Sequence, residues 1–313
     1  MHNRSIVILE RLSDYRREAI KAIFIKSIGI LGLSERLKKA KNITIKINLC
    51  DARPPETGAI THPTFLGALL EYIREYQCSN ASINVIESDA TVAAPDLFIK
   101  WFGFDILFKK WNVRYINVSK IPFTWECTNG KVLKYVPVPK IIAESDIFIS
   151  MAKLKTNILT DVTCCLKNLF GCLPLVKKSI FHPAIDYVIA ETAKAMMPDL
   201  CIIDGIIGMG GAKGPAYGTP IKAGVVIIGL DPVATDSVAA RVMGFNPRRI
   251  KHLVIAQKLG LGSIENVTVL NMEGKERDIP LIQGFKSSLI ERAALRLAIN
   301  IQSHSRLSCR KNQ

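Results

Sequence analysis

The stretch 151–180, MAKLKTNILTDVTCCLKNLFGCLPLVKKSI, concentrates the residues of this chain that could do chemistry, and His182 follows it closely. Lys153, Lys155, Lys167, Lys177 and Lys178 stand against one acid, Asp161, with Thr156, Asn157, Thr160, Thr163 and Asn168 between them. Ammonium groups interleaved with hydroxyls and amides suit a small anion: charge holds it, and hydrogen bonds orient it. The apolar run DIFISMA from Asp146 implies that the stretch begins at the end of a buried strand. Thr160 is then placed to cap a short helix with Val162, Cys165, Leu166, Leu169 and Phe170 on its apolar side and Gly171 as its stop. Thr160, Thr163, Cys164, Lys167 and Asn168 fall on the other side, where N–H groups at the helix start add to the lysine charge. The plain alternative is a solvated lysine-rich face on a core helix.

Further candidates sit where strands should end. Lys46 and Asn48 close the strand pattern NITIKINL, and the loop CDARPPETGAITHP after it carries Arg53, Glu56, Thr61 and His62. For His62 alone, a helix-capping role is the competing reading. The strand ASINVIE ends at Glu87, and LCIID ends at Asp204 and empties into GIIGMGGAKGPAYGTP. That glycine-rich segment fails the nucleotide fingerprints: Lys213 occupies the last glycine position of a G-x-G-x-x-G, and no G-K-[ST] is present. It reads as a donor-rich loop in which Gly210, Gly211 and Lys213 line a substrate, or as a mobile crossing. Asp231-Pro232 starts a helix whose Asp236 lies amid apolar neighbours. Glu87, Asp204 and Asp236 are the acids expected to balance the lysines, and His182 is the candidate acid or base beside a catalytic Lys167.

Strand and helix patterns alternate from Ser5 to Met272, which predicts an α/β fold: a mostly parallel sheet flanked by helices on both faces. Trp125 to Val138, with Asn129-Gly130 as its tight turn, predicts a β-hairpin excursion from that sheet. Residues 1–284 read as one large domain, with a two-lobed division near 120–145 as the alternative. Residues 285–313 read as an amphipathic helix and a basic tail containing Arg306, Arg310 and Lys311.

At 313 residues, with 49% hydrophobic and 22% charged residues, the chain is long enough to bury a substantial core and is not of disordered composition. A net charge of +15 favours anionic partners without choosing among them. The start MHNRSIVILE runs straight into a strand pattern without a secretory signal, so the eight cysteines read as reduced thiols and the expected compartment is cytoplasmic. Cys164, Cys165 and Cys172 are the nearest approach to a metal-ligand group. With no C-x-x-C pair, an iron–sulfur cluster is not supported by ligand spacing and the cofactor stays unknown. No apolar run reaches the ~20 residues of a membrane-spanning helix.

Several of these motifs together resemble the prokaryotic family catalogued as domain of unknown function 362. They are IKINL at 45–49, THP at 61–63, KLKTN and LKNLFG within 153–171, His182, DGIIGMGGAKGP at 204–215 with Gly218, and LDPVATDSVAARVMG at 230–244. Members are often fused to ferredoxin-type iron–sulfur modules, so the resemblance implies a ferredoxin-type partner, although the ferredoxin cysteines are not in this chain. Where the family has histidine in K-T-H, this chain has Asn157. The order Asn157, Lys167, His182 is also similar to the histidine, lysine, histidine order of the lactate racemase family, which uses a nickel-pincer nucleotide; Lys167 would match the lysine that holds that cofactor.

These residues lead to an enzyme acting on a small anionic ligand, a carboxylate or a phosphate, in a cleft lined by lysine, threonine and glycine. An iron–sulfur-associated redox protein is one alternative. The other is a nucleic-acid-binding or assembly protein using the basic surface, against which the chain shows no helix-turn-helix, zinc finger or aromatic-interleaved basic strand.

Overall fold

The computed structural model describes residues 4–77, 80–90, 94–212, 214 and 217–287. Twelve strands follow one another in these residues: β1 (Ser5–Arg11), β2 (Asn42–Lys46), β3 (Ser82–Glu87), β4 (Val113–Asn117), β5 (Phe123–Cys127), β6 (Tyr135–Pro139), β7 (Ile147–Asn157), β8 (Asp161–Val162), β9 (Leu200–Gly210), β10 (Thr219–Ile221), β11 (Val225–Gly229) and β12 (Val267–Leu270). Ten of them form one sheet in the order β12-β1-β11-β9-β7-β2-β3-β4, with β10 added on β9 and β8 on β7. β9, β7, β2, β3 and β4 are mutually parallel, as are β1 and β12, while β11 runs against both neighbours. This is the α/β architecture that the alternating pattern predicts.

Side chains of successive strand residues point to opposite faces, and the two faces carry separate cores. Ile202 joins the core under the helices Arg17–Ile30 and Pro63–Tyr72, together with Ile23, Phe24, Phe65 and Leu69. Its neighbour Ile203 joins the core under Cys164–Phe170, Ile185–Ala195 and Pro232–Val242, with Leu166, Ile189 and Val238. Strands buried on both faces read as continuous apolar runs, as β11 and the opening residues of β7 and β9 do.

Two strands extend further than the sequence suggests. β7 does not stop before the lysines but carries Lys153 and Lys155 within it. β9 continues past Asp204 to Gly210, so the first part of the predicted glycine loop is strand. Close packing explains the glycines: a Cβ on Gly205 would lie 2.8 Å from Leu154 Cδ2, and one on Gly208 would lie 2.5 Å from the Leu154 carbonyl oxygen. Only glycine allows β9 this close to β7.

The hairpin is present as β5 and β6, paired apart from the main sheet. Its last pair is Cys127 with Tyr135, so the connection is longer than an Asn-Gly turn. The buried Glu191 carboxylate sets that shape by accepting N–H bonds from Lys131 (2.6 Å), Val132 (3.1 Å) and Leu133 (2.7 Å). His182 lies in a 3₁₀ segment, Lys178–Ala184, which leads into the α-helix Ile185–Ala195. Among the described residues no helix is long and apolar enough to cross a membrane. Of the predicted amphipathic helix and basic tail, 285–313, residues 288–313 lie outside the described residues, while Phe285 is buried in the core.

Candidate functional site

Parallel strands β2, β3, β7 and β9 end on the same side, and in open α/β sheets ligands gather beyond such ends. Lys153, fully buried on β7, pairs with Asp204 of β9 at 2.8 Å. The Tyr15 hydroxyl, from the loop after β1, donates to Asp204 Oδ1 at 3.0 Å and lies 3.2 Å from Lys153 Nζ. Burial holds the Lys153 ammonium below its usual range against the opposing pull of Asp204, and burial with the Asp204 charge drives the Tyr15 phenol up. The Tyr15 ring stacks on His62 with centroids 3.7 Å apart. His62 Nδ1 accepts the Thr64 N–H at 3.2 Å and so caps the helix Pro63–Tyr72. Burial lowers its pKa.

A second buried ion pair lies one strand over. Lys46, at the end of β2, meets Glu87 of β3 at 2.7 Å and donates to the Ile47 carbonyl at 2.6 Å. Glu87 also accepts N–H bonds from Leu49 (2.7 Å) and Ser88 (2.9 Å). Lys155 donates to Asn48 Oδ1 (2.8 Å), the Ala59 carbonyl (2.6 Å) and the Cys50 sulfur (3.2 Å). Asn48 Nδ2 donates in turn to Asn168 Oδ1 at 3.0 Å. Thr156 Oγ1 donates to the Gly211 carbonyl at 2.8 Å. Segments around residues 48, 155, 168 and 211, remote in sequence, therefore meet in one polar cluster.

Lys167 is the exception to this mutual satisfaction. It is half-buried on the helix Cys164–Phe170 and makes no hydrogen bond or ion pair among the described residues; its nearest recorded partner is the Phe170 ring, 5.8 Å away. Burial pushes its pKa down to about 8; Cys50 opposes the shift, and the Lys155 and Lys46 charges add to it. His182 stands exposed nearby, its pKa lowered first by partial burial and then by the Lys167 charge.

The helix bearing Lys167 starts differently from the sequence expectation. Thr160 does not cap it: its hydroxyl donates to the Val162 carbonyl at 3.0 Å, within a turn where Asn157 Oδ1 accepts the Leu159 and Thr160 N–H groups. The cap comes from Asp236, whose carboxylate oxygens accept the N–H groups of Cys165 and Leu166, each at 2.8 Å. Asp236 therefore caps a helix rather than balancing a lysine. Burial raises its pKa to about 7 against the lowering effect of those two donors. Cys164 has φ of 46°, a conformation rarely adopted by residues other than glycine. Thr163 Oγ1 is buried without a hydrogen-bond partner among the described residues.

The remaining candidate residues stand in other settings. The Gly211 N–H is not free for a substrate, since it donates to the Phe285 carbonyl at 2.9 Å. Gly210 lies against Gly284, where an added Cβ would meet the carbonyl oxygen at 2.5 Å. Lys213 lies outside the described residues. Cys164, Cys165 and Cys172 are buried core thiols, and burial drives Cys172 up to about 12. Among the described residues no three His, Cys, Asp or Glu side chains are grouped to hold a metal ion. Cys50 and Tyr15 escaped the sequence reading. Cys50 could have been found from its place two residues after Asn48, whereas nothing in the sequence around Tyr15 signals its role. Two open surface clefts lie away from this cluster, one beside Arg11 and Lys222 and another beside Asp186, Tyr187 and Arg249.

A family model described as Domain of unknown function (DUF362) matches residues 43–241. A thylakoid-associated protein of Synechocystis sp. is 25% identical over 237 residues, covering 74% of this chain and 71% of that protein. The lactate racemase apoprotein from Thermoanaerobacterium thermosaccharolyticum aligns in structure with a TM-score of 0.39 and 14% identity, over 64% of this chain. The aligned part is 50% of the racemase chain, so this chain spans about half of its length.

Proposed function

This chain belongs to the domain of unknown function 362 family, and we propose that it is an enzyme that binds a small anionic substrate, a carboxylate or a phosphate, against Lys167. The carrying observation is the ammonium of Lys167: half-buried, without a counter-ion among the described residues, and crowded by the Lys155 and Lys46 charges. Lys46 and Lys153 already have carboxylate partners and Lys155 has three acceptors, so of these four lysines Lys167 is the one left for a ligand. An incoming anion relieves like-charge repulsion at the same time as it gains a counter-ion. His182, at the exposed rim beside Lys167, serves as the acid or base, its ordinary titration range being close to neutral pH.

The test is a thermal-shift screen with small carboxylates and phosphates on the wild type and on Lys167→Met. A ligand at a hundredfold excess over its Kd stabilises the native state by about 2.7 kcal/mol, a shift of a few degrees. The wild type is expected to show that shift with at least one anion, and Lys167→Met to show none while its own transition stays within a few degrees. Equal responses from both proteins sink the assignment.

A further inference from the structure

Cys50 differs from the other described cysteines in its surroundings. Cys164, Cys165, Cys172 and Cys201 are sealed in the core, whereas Cys50 is half-buried in the segment that follows β2. The Lys155 ammonium donates to its sulfur at 3.2 Å, and Lys155 is fixed there by Asn48 and Ala59. Lys167, without a hydrogen-bond or ion-pair partner among the described residues, lies within electrostatic reach of the same sulfur. The strand that carries Lys155 is held to the start of the Lys167 helix by the Thr163 N–H, which donates to the Lys155 carbonyl at 2.9 Å, and Thr163 Oγ1 is buried without a hydrogen-bond partner among the described residues. Cys127 is more exposed than Cys50, but its sulfur faces the Asn129 amide oxygen at 3.3 Å rather than a cation. Reactive cysteines occupy electropositive, partly exposed surroundings, and the thiolate is the form that attacks.

We propose that Cys50 is the nucleophile of this site and attacks an electrophilic carbon of a small carboxylate held by Lys167, which rests on the anion-site reading above. The thiol proton leaves to solvent. The sulfur then forms a bond to carbon as the bond from carbon to the leaving group breaks, and the leaving group departs with that electron pair. Lys155 fixes the sulfur, and the Lys167 ammonium orients the carboxylate so that the carbon faces it.

Iodoacetate and iodoacetamide make the same thioether with loss of iodide and differ in carrying or lacking the carboxylate. Labelling of the intact chain is followed by peptide mapping, and the iodoacetate-to-iodoacetamide rate ratio at Cys50 is compared with that at Cys127. The ratio at Cys50 is expected to exceed that at Cys127 by about tenfold, the low end of the gain from a focused positive field. Lys167→Gln should bring it down to the Cys127 value. Should that variant fail to fold, acetate added to the wild type must slow iodoacetate at Cys50 and leave Cys127 unaffected. A Cys50 ratio equal to that of Cys127, or one indifferent to Lys167 or to acetate, overturns the nucleophile. The anion site is judged separately on Cys50→Ser, which keeps Lys167. An anion-induced thermal shift in Cys50→Ser beside an unreactive Cys50 means that the anion site stands and the nucleophile falls.

Discussion

Lysine normally keeps its proton to about pH 10.4, but Lys167 in the folded chain gives it up near pH 8 because burial and two neighbouring ammonium groups disfavour the charge. Between those two values the unfolded chain binds more protons than the native one, so native stability rises with pH in that window. The expected outcome is that the urea midpoint of the wild type climbs relative to that of Lys167→Met between pH 8 and about pH 10. Anion binding falls over the same range, since the neutral amine no longer attracts an anion. Parallel midpoints for the two proteins would show that Lys167 is solvated like any surface lysine. Much of this neighbourhood was legible as residue types: Lys46, Asn48, Lys155 and Asn168 could be named from the sequence, and three of them join through the Asn48 side chain. What the sequence hid was who partners whom. Lys153 finds Asp204 and Tyr15 because β7 lies beside β9 and the loop after β1 reaches across, and no local pattern encodes that adjacency.

The helix Cys164–Phe170 shows the same limit for an element. Its apolar spacing and the glycine stop were readable, yet its cap arrives from Asp236 on another helix, in contact only because both pack on one face of the sheet. Asp236→Ala leaves two buried N–H groups without acceptors and should cost about 2–4 kcal/mol in urea unfolding. Asp236→Asn retains one acceptor oxygen and should lose less. Equal midpoints for Asp236→Ala and the wild type would mean that water takes over the cap. The extended β9 belongs to this scale too. Its glycines look like a loop in one dimension, and only the 2.5 Å approach to the Leu154 carbonyl shows why a strand needs them.

For the whole molecule, the alternation of strands and helices sufficed to give an α/β sheet with two covered faces, because each layer must bury an apolar side. The strand order was not readable, nor was the reversal at β11. The ten-stranded sheet is continuous, and residues from both its ends enter the core that holds Val7, Phe148 and Ala256. Urea unfolding of the described part should therefore be a single transition, with far-UV and near-UV circular dichroism giving the same midpoint. Two separated midpoints would favour independently folding lobes.

β1 is hydrogen-bonded to β11 on one side and to β12 on the other. β1 is thus synthesised long before either of its neighbours. At 5–20 residues per second, the gap between Arg11 and Val225 lasts about 10–40 s. Throughout that delay an apolar segment, Ile6 to Leu9, waits with both edges unsatisfied. A nascent chain built this way depends on whatever shelters β1 until β11 and β12 emerge.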